Sequence, residues 1–425
     1  MLSLNTEKFL SKYGMLAAEI NPAVCSENML PDMEAGLNGG TDGMLMIPTY
    51  LCNDAAVPKG VNAAVIDAGG TNFRCGLVSF NDTGYTVENL KKCKMPGIDR
   101  PCTWEDFVSF IADNIAPMMD KTDYIGFCFS YSAVITPEVD GIVNTIDKEV
   151  VITGCEGKYI AKSLNAELVR RGFGEKRIVI VNDTAAVLLG CSANLDKSKY
   201  SSFVGQVSGT GTNTCCIMAE NSIVKLNSES PKRIIINMES GLFKDIHVGY
   251  FDRTLDEESN NPGQKRFEKL TAGVYLGELA RLMLIKAGED GVISAAAYEK
   301  AKKLGRIDTS FVDAWASGEN MDIIAGSADD EAFIREISLE LLERSARCMA
   351  SAIIAIAKKT GAGDDPQLPL CDCAEGSLVQ RSRHYLGMLK ELLDEYGRKQ
   401  CGKYIEIIIG NESTIPGSAA AALIN

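Results

Sequence analysis

The chemistry this sequence can support lies in a few short polar segments, each following an apolar run. In AVIDAGGTNFRCGLV (64–78), Asp67 closes an apolar stretch and Gly69, Gly70, Thr71 and Asn72 follow. Glycine lets the backbone curl until successive N–H groups point into one concavity, where they hold an anion. Thr71, Asn72 and Arg74 add donors, and Asp67 can hold Mg²⁺ directly or through water. No lysine follows the glycines, so this is not the phosphate loop ending in G-K-[ST]. An apolar strand pattern follows rather than a helix, which excludes G-x-G-x-x-G. A plain hairpin turn accounts for the same residues. VGQVSGTGTNTCCIM (204–218) repeats the layout with Gly209, Thr210, Gly211, Thr212 and Asn213. Two such turns, each carrying Thr-Asn, make a pair of jaws for nucleotide phosphates and suit phosphoryl transfer away from water.

Between the turns, VNDTAAVLLG (181–190) places Asn182 and Asp183 where an apolar run gives way to a helical one. A carboxylate there can accept a proton from an alcohol. Most aspartates in such a place cap the helix that follows, and local sequence leaves both readings open. INMESG (236–241) sets Asn237 and Glu239 after another apolar run. With Ser130, Lys148, Asn213 and Glu268 they supply enough amides and charged groups to grip a polyol, whose hydroxyls are costly to bury unpaired. An ordinary surface position accounts for any one of them taken singly.

The elements that must position these residues are legible as alternating patterns. Short β-branched runs at Ala63–Ile66, Phe73–Phe80, Ile125–Phe129, Ile178–Val181, Phe203–Val207, Thr214–Met218, Ile234–Asn237 and Ile405–Ile409 read as strands. Helical periodicity covers Lys158–Arg171, Gln264–Ala287 and Glu331–Lys359. For Gln264–Ala287, Asn261 is the expected cap and Pro262 the first helical residue. Gly361 and Gly363 are expected to end Glu331–Lys359. Met349–Ala357 reads as the end of a buried helix, being half the length of a membrane span. Strands mixed with long helices give an α/β architecture. The repeated glycine unit points to two related α/β lobes.

Composition narrows the partners. At 425 residues, two or three domains are expected. With 46% hydrophobic and 24% charged residues the chain is that of a folded globular protein. Lys and Arg number 43 against 57 Asp and Glu, a net charge of −14 that argues against nucleic acid or an anionic membrane as partner. The two histidines, His247 and His384, cannot build a multi-histidine metal site, so acid–base work falls to carboxylates. Fourteen scattered cysteines fit free thiols in a reducing compartment. The opening MLSLNTEKFLSKYG reads as a helix rather than a targeting signal, so a cytoplasmic location is expected.

Taken in order, IDAGGTNFR (66–74), GFCFSYS (126–132), VNDT (181–184), SGTGTN (208–213), INMESG (236–241), NNPGQKRFEKLTAGVYLGELAR (260–281) and AEGS (374–377) resemble the hexokinase–glucokinase family of the sugar kinase/actin-like superfamily. The resemblance spans nearly the whole chain. It implies a two-lobed actin-like (ribonuclease H-like) ATPase fold with mixed sheets and an interdomain cleft. The small lobe would be residues 61–179 plus 417–425, and the large lobe 1–60 plus 180–416. It further implies transfer of the γ-phosphoryl group of ATP, with Mg²⁺, to the 6-hydroxyl of a hexose, glucose in the first place, by a monomer or homodimer. Asp183 matches the catalytic base. Ser130, Lys148, Asn182, Asn213, Glu239 and Glu268 match sugar-binding positions. Gly69, Gly70, Thr71, Asn72, Arg74, Gly209 and Thr210 match positions around the ATP phosphates, Asp67 the metal, and Glu375, Gly376 and Ser377 the adenosine segment. Gly417–Ile424 resembles the family's last helix.

Three departures bear on sugar preference. The family's FSFP is Phe129-Ser130-Tyr131-Ser132 here, its Thr-Lys is Asp147-Lys148, and its Glu-Trp-Gly is Glu239-Ser240-Gly241. An aspartate at 147 can favour an amino sugar or pair with Lys148. Two other readings stay open: a non-catalytic sugar sensor, and an actin-like ATPase without a small-molecule acceptor.

Overall fold

The computed structural model describes residues 2–146 and 150–425, which form two compact units. One comprises residues 47–199, 215–237 and 410–425, and the other residues 1–46, 200–214 and 238–409. They are named below after the glycine turn each carries, the Gly69 unit and the Gly209 unit. This division differs from the lobes expected above, because residues 47–60, 180–199, 215–237 and 410–416 pack within the Gly69 unit. There Ser192 Oγ and Lys197 Nζ both donate to Asn53 Oδ1, at 2.9 Å each.

The Gly69 unit is built on a five-stranded sheet in the order Arg177–Val181, Tyr124–Phe129, Asn62–Ala68, Asn72–Asn81, Gly84–Lys94. The first three strands are parallel and the last two add antiparallel. One face is covered by the Trp104–Ile115 helix, whose Trp104, Phe107, Val108, Ile111 and Ile115 recur at helical spacing. Thr103 and Asp106 close its start as a capping box. Those side chains share a core with Phe73, Ile125 and Phe127. Two small-residue helices, Asp183–Ser192 and Thr414–Ile424, also belong to this unit. They approach closely because glycine lies at the contacts. A methyl at Gly126 would overlap the Ser418 carbonyl, one at Gly190 that of Ser413, and one at Gly417 that of Ala186.

In the Gly209 unit, Ser202–Ser208, Leu370–Glu375 and Ile405–Ile409 are parallel neighbours. The unit's backbone is a 33-residue helix, Ala328–Thr360, which starts at a Ser327 cap and ends at Gly361 with φ +69°. Asp329, Asp330 and Glu331 occupy its first turn, and Lys358 and Lys359 its last, matching the helix dipole. The Leu4–Tyr13 helix packs on it through Phe9 and Phe333, 5.3 Å apart. A buried Arg344–Asp252 pair, 2.5 Å, lies against its middle.

All eight expected strands form, with ends extended by up to two residues. Lys158–Arg171 forms as Ile160–Arg170, and Glu331–Lys359 begins three residues earlier than expected. The expected helix over Gln264–Ala287 is instead two, Arg266–Thr271 and Gly273–Glu289, and Asn261 caps neither. Asn261 gives its carbonyl to the buried Lys269 ammonium at 2.8 Å, and the chain enters the first helix through Lys265 at φ +51°. The break at Ala272 arises because Gly273 N donates to Gly209 O at 2.7 Å, outside any helical ladder. All fourteen cysteines are free thiols. No helix among the described residues is long and apolar enough to cross a membrane.

Candidate functional site

In the Gly69 unit the expected residues emerge from the carboxyl ends of three neighbouring parallel strands. Asp67, Cys128 and Val181 lie side by side in register. The segments that follow, Gly69–Asn72, Ser130 and Asn182–Asp183, therefore leave the sheet at one edge, the place where open α/β sheets bind ligands.

Asp67 is buried, and its Oδ2 accepts from Arg74 Nη2 at 2.5 Å, Arg74 Nε at 3.0 Å and Thr414 Oγ1 at 3.2 Å. Arg74 also reaches Glu412 at 3.3 Å. Burial on its own would lower the Arg74 guanidinium, and the Asp67 charge more than reverses that, raising it. Arg74 is thus fixed in place by a carboxylate. Gly69 N closes the turn on Asn72 O at 3.0 Å, and Thr71 and Asn72 are exposed.

At the third strand end, Asn182 is the helix cap, its Oδ1 accepting from Thr184 N at 2.9 Å. Asp183 is the first helical residue, where the dipole favours a negative charge. Its Oδ1 takes Thr184 N at 2.7 Å and Thr184 Oγ1 at 3.2 Å, and among the described residues no donor engages Oδ2. Asn182 thus takes the Ncap position, with Asp183 sharing the Thr184 N–H, and Asp183 keeps one carboxylate oxygen available. The buried Cys128 thiol lies within reach of both charges: burial first, then Asp67 and Asp183, hold it well above its ordinary value. Cys128 Sγ is 3.9 Å from Ser130 Oγ.

The Gly209 unit gathers a second group. Gly209 N closes its turn on Gly211 O at 3.0 Å. The parallel strands Ser202–Ser208 and Leu370–Glu375 run in register, so Gly376 and Ser377 leave beside Gly209: an added Cβ on Gly209 would meet Gly376 Cα and Ser377 N at 3.4 Å. Thr210 is exposed at the tip. Asn213 Oδ1 accepts from Thr214 N at 2.8 Å and Ser240 N at 3.3 Å, tying the turn to the Glu239 segment. Glu239 sits at φ +55°, an unusual conformation for a side chain this long. Glu268 Oε1 accepts from Thr212 N at 3.4 Å, and Lys265 Nζ lies 3.5 Å from Glu268 Oε2. Burial alone would lower the Lys265 ammonium, but Glu268 and then Glu239 raise it. Ser240 is buried, with its Oγ unpartnered among the described residues.

Each unit therefore brings together its own share of the expected residues. Asp67, Gly69, Gly70, Thr71, Asn72, Arg74, Ser130, Asn182 and Asp183 meet at one sheet edge. Gly209, Thr210, Asn213, Glu239, Glu268, Gly376 and Ser377 meet around one turn. Asp147 and Lys148 lie outside the described residues. Sequence reading missed Glu412 and Thr414, whose only signal is the polar run NEST (411–414) ahead of an alanine-rich helix, and Lys265, which the QKRFE stretch contains.

No group of three His, Cys, Asp or Glu among the described residues could hold a metal ion by itself. Magnesium carried mainly by substrate phosphates needs only one or two carboxylates. Asp67 fits that demand: its Oδ2 carries all three bonds described above, which leaves Oδ1 as a hard oxygen donor.

Two family profiles, both described as hexokinase, match residues 7–193 and 203–424. Hexokinase-5 of Oryza sativa subsp. japonica is 27% identical, over 93% of this chain and 85% of its own length. Hexokinase-1 of Saccharomyces cerevisiae is 28% identical, over 79% of this chain and 75% of its own. The solved structure of a hexokinase from Schistosoma mansoni complexed with glucose superposes with a TM-score of 0.77 at 21% identity, covering 99% of this chain and 98% of that one. The likeness shows the fold, the α/β architecture of the actin-like ATPases. One of the two profiles alone covers more than half of the residues, so the chain belongs to the hexokinase family and is a sugar-phosphorylating kinase.

Proposed function

We propose that the chain transfers the γ-phosphoryl group of ATP to the 6-hydroxyl of a hexose, glucose being the first to test, with Asp183 as the base. The observation that carries this reading is the setting of Asp183. It stands at a helix start on a parallel sheet edge, one oxygen engaged by Thr184 and the other available, in line with Asp67. The relatives' names and the glucose held by the Schistosoma enzyme support the choice of sugar.

Phosphoryl transfer through a loose transition state needs little nucleophilic push, so alignment and charge neutralisation supply most of the acceleration. Asp183 Oδ2 accepts the hydrogen of the sugar's 6-hydroxyl, fixes its direction and takes the proton late. Ser130, Lys148, Asn182, Asn213, Glu239 and Glu268 grip the remaining hydroxyls. The N–H groups of Gly69, Gly70, Thr71 and Asn72, with Gly209 and Thr210, hold the phosphates, and Glu375, Gly376 and Ser377 take the adenosine end. Arg74 adds positive charge from a position fixed by Asp67. When bound, Mg²⁺ neutralises charge between the phosphates, with Asp67 Oδ1 as its holder, directly or through water. Closure on sugar binding is part of this reading and disfavours water as the acceptor.

The test is Asp183→Ala assayed for ADP release with glucose and ATP–Mg²⁺. Turnover is expected to fall by about 10² or more, the usual loss on removing a positioned base, with glucose binding and the unfolding curve unchanged. Near-normal turnover would refute the assignment. Extending the assay to mannose, fructose and glucosamine reads the sugar preference that Asp147, Ser132 and Ser240 leave open.

A further inference from the structure

We propose that Tyr131 is a positioning residue that transmits sugar occupancy to the phosphate-holding turn. Its side chain is buried against Phe129, with ring centroids 5.2 Å apart, and its hydroxyl donates to the Gly69 carbonyl at 2.6 Å. One residue earlier, Ser130 N donates to Ala68 O at 3.2 Å. The segment carrying Ser130 is therefore braced to the Gly69 turn at two consecutive peptides, one by backbone and one by side chain. On the far side, Asn144 Nδ2 donates to Ser132 Oγ at 3.2 Å.

The brace acts on the turn through peptide planarity. The Gly69 carbonyl and the Gly70 N–H belong to one rigid plane and point in opposite directions. Holding that carbonyl on the Tyr131 hydroxyl aims the Gly70 N–H away from it, and that N–H is one of the donors assigned to phosphate. Gly69 is the place where such a restraint is needed. A side chain there would meet only Asn72 O, at 3.4 Å, so little packing fixes the peptide otherwise. Sugar binding that steadies Ser130 steadies Tyr131, and through it the plane of the Gly69–Gly70 peptide. Linkage makes the effect reciprocal, so nucleotide must tighten sugar binding by the same factor. This inference rests on the reading of Ser130 as a sugar contact and of the Gly69 turn as a phosphate contact.

The experiment is titration of the full chain with glucose, with and without a non-hydrolysable ATP analogue and Mg²⁺, for the wild type and Tyr131→Phe. The wild type is expected to bind glucose more tightly when the analogue is present. Tyr131→Phe, which keeps the ring, should lose about three- to tenfold of that coupling, the worth of one hydrogen bond. Its KM for ATP should rise by a similar factor, with kcat changed less and the melting temperature nearly kept. Full coupling in a folded Tyr131→Phe would overturn the inference and leave the proposed function standing. A wild type that binds neither ligand would overturn both. Should the variant not fold, hydrogen exchange on the wild type decides: glucose alone should slow the amides of residues 69–72, and no slowing overturns the inference.

Discussion

The Gly69 and Gly209 turns share a sequence layout, yet different forces hold them in shape. Around Gly69 side-chain bonds add to the backbone closure: Tyr131 on the carbonyl, and Asp67 clamped by Arg74 and Thr414 just before the turn. Around Gly209 itself neighbouring backbone presses in, with the Glu268 side chain further along at Thr212 N. Gly273 N donates to Gly209 O, and a methyl on Gly376 would overlap the Ser208 carbonyl. The comparison teaches that glycine can have two uses in one motif. At Gly69 it keeps the backbone accessible to a ligand, and at Gly376 and Gly273 it lets three chain segments touch.

That contrast is sharpest in paired glycine substitutions. Gly376 has φ +123° and no room for a methyl, so Gly376→Ala is expected to cost about 3 kcal/mol in urea unfolding. Gly69→Ala should cost under about 1 kcal/mol while raising the KM for ATP. Equal losses of stability would erase the distinction. Charge should work the other way round. The Asp67–Arg74 pair has side-chain exposures of 9% and 22%, so Arg74→Met leaves a nearly buried carboxylate without its cation and should destabilise by about 2 kcal/mol. Adding Asp67→Asn should recover part of that loss. The same unfolding curves check both variants, and an additive double variant breaks the claim that the Gly69 side is held electrostatically.

The smallest effect concerns Lys265 beside Glu268. Its ammonium is raised above the usual 10.5. A raised lysine contributes stability that is fully present below the unfolded value and lost as pH rises through the folded one. Stability should therefore decline slightly above about pH 10.5, and less so in Lys265→Met. The side chain is half exposed, so solvent screening keeps the difference small. A difference as large as that expected for Arg74→Met would put the Gly209 side under electrostatic control as well.

Much of this was legible in the residues because glycine, aspartate and β-branched runs report local geometry. Every expected strand formed, and the Gly361 stop of the long helix held. What failed depended on partners distant in sequence. The break at Ala272 follows from a bond to Gly209, more than sixty residues earlier, which no local pattern announces. Leu370–Glu375 hides as a strand because Asp372 interrupts its apolar run, although that aspartate is buried. Gly84–Lys94 hides because most of it faces solvent and its pattern reads as polar. For the candidate site, the polar run NEST does not announce what Glu412 and Thr414 meet, since only the folded chain brings Glu412 to Arg74 and Thr414 to Asp67.

The order of synthesis gives the Thr414–Ile424 helix a further meaning. When a ribosome has delivered residue 199, every strand of the five-stranded sheet exists, but the glycine at 126 still waits for a backbone that has not been translated. The Asp67 carboxylate likewise lacks its threonine until residue 414 emerges. A polypeptide that has not yet reached residue 414 thus carries Asp183 on an incompletely covered scaffold.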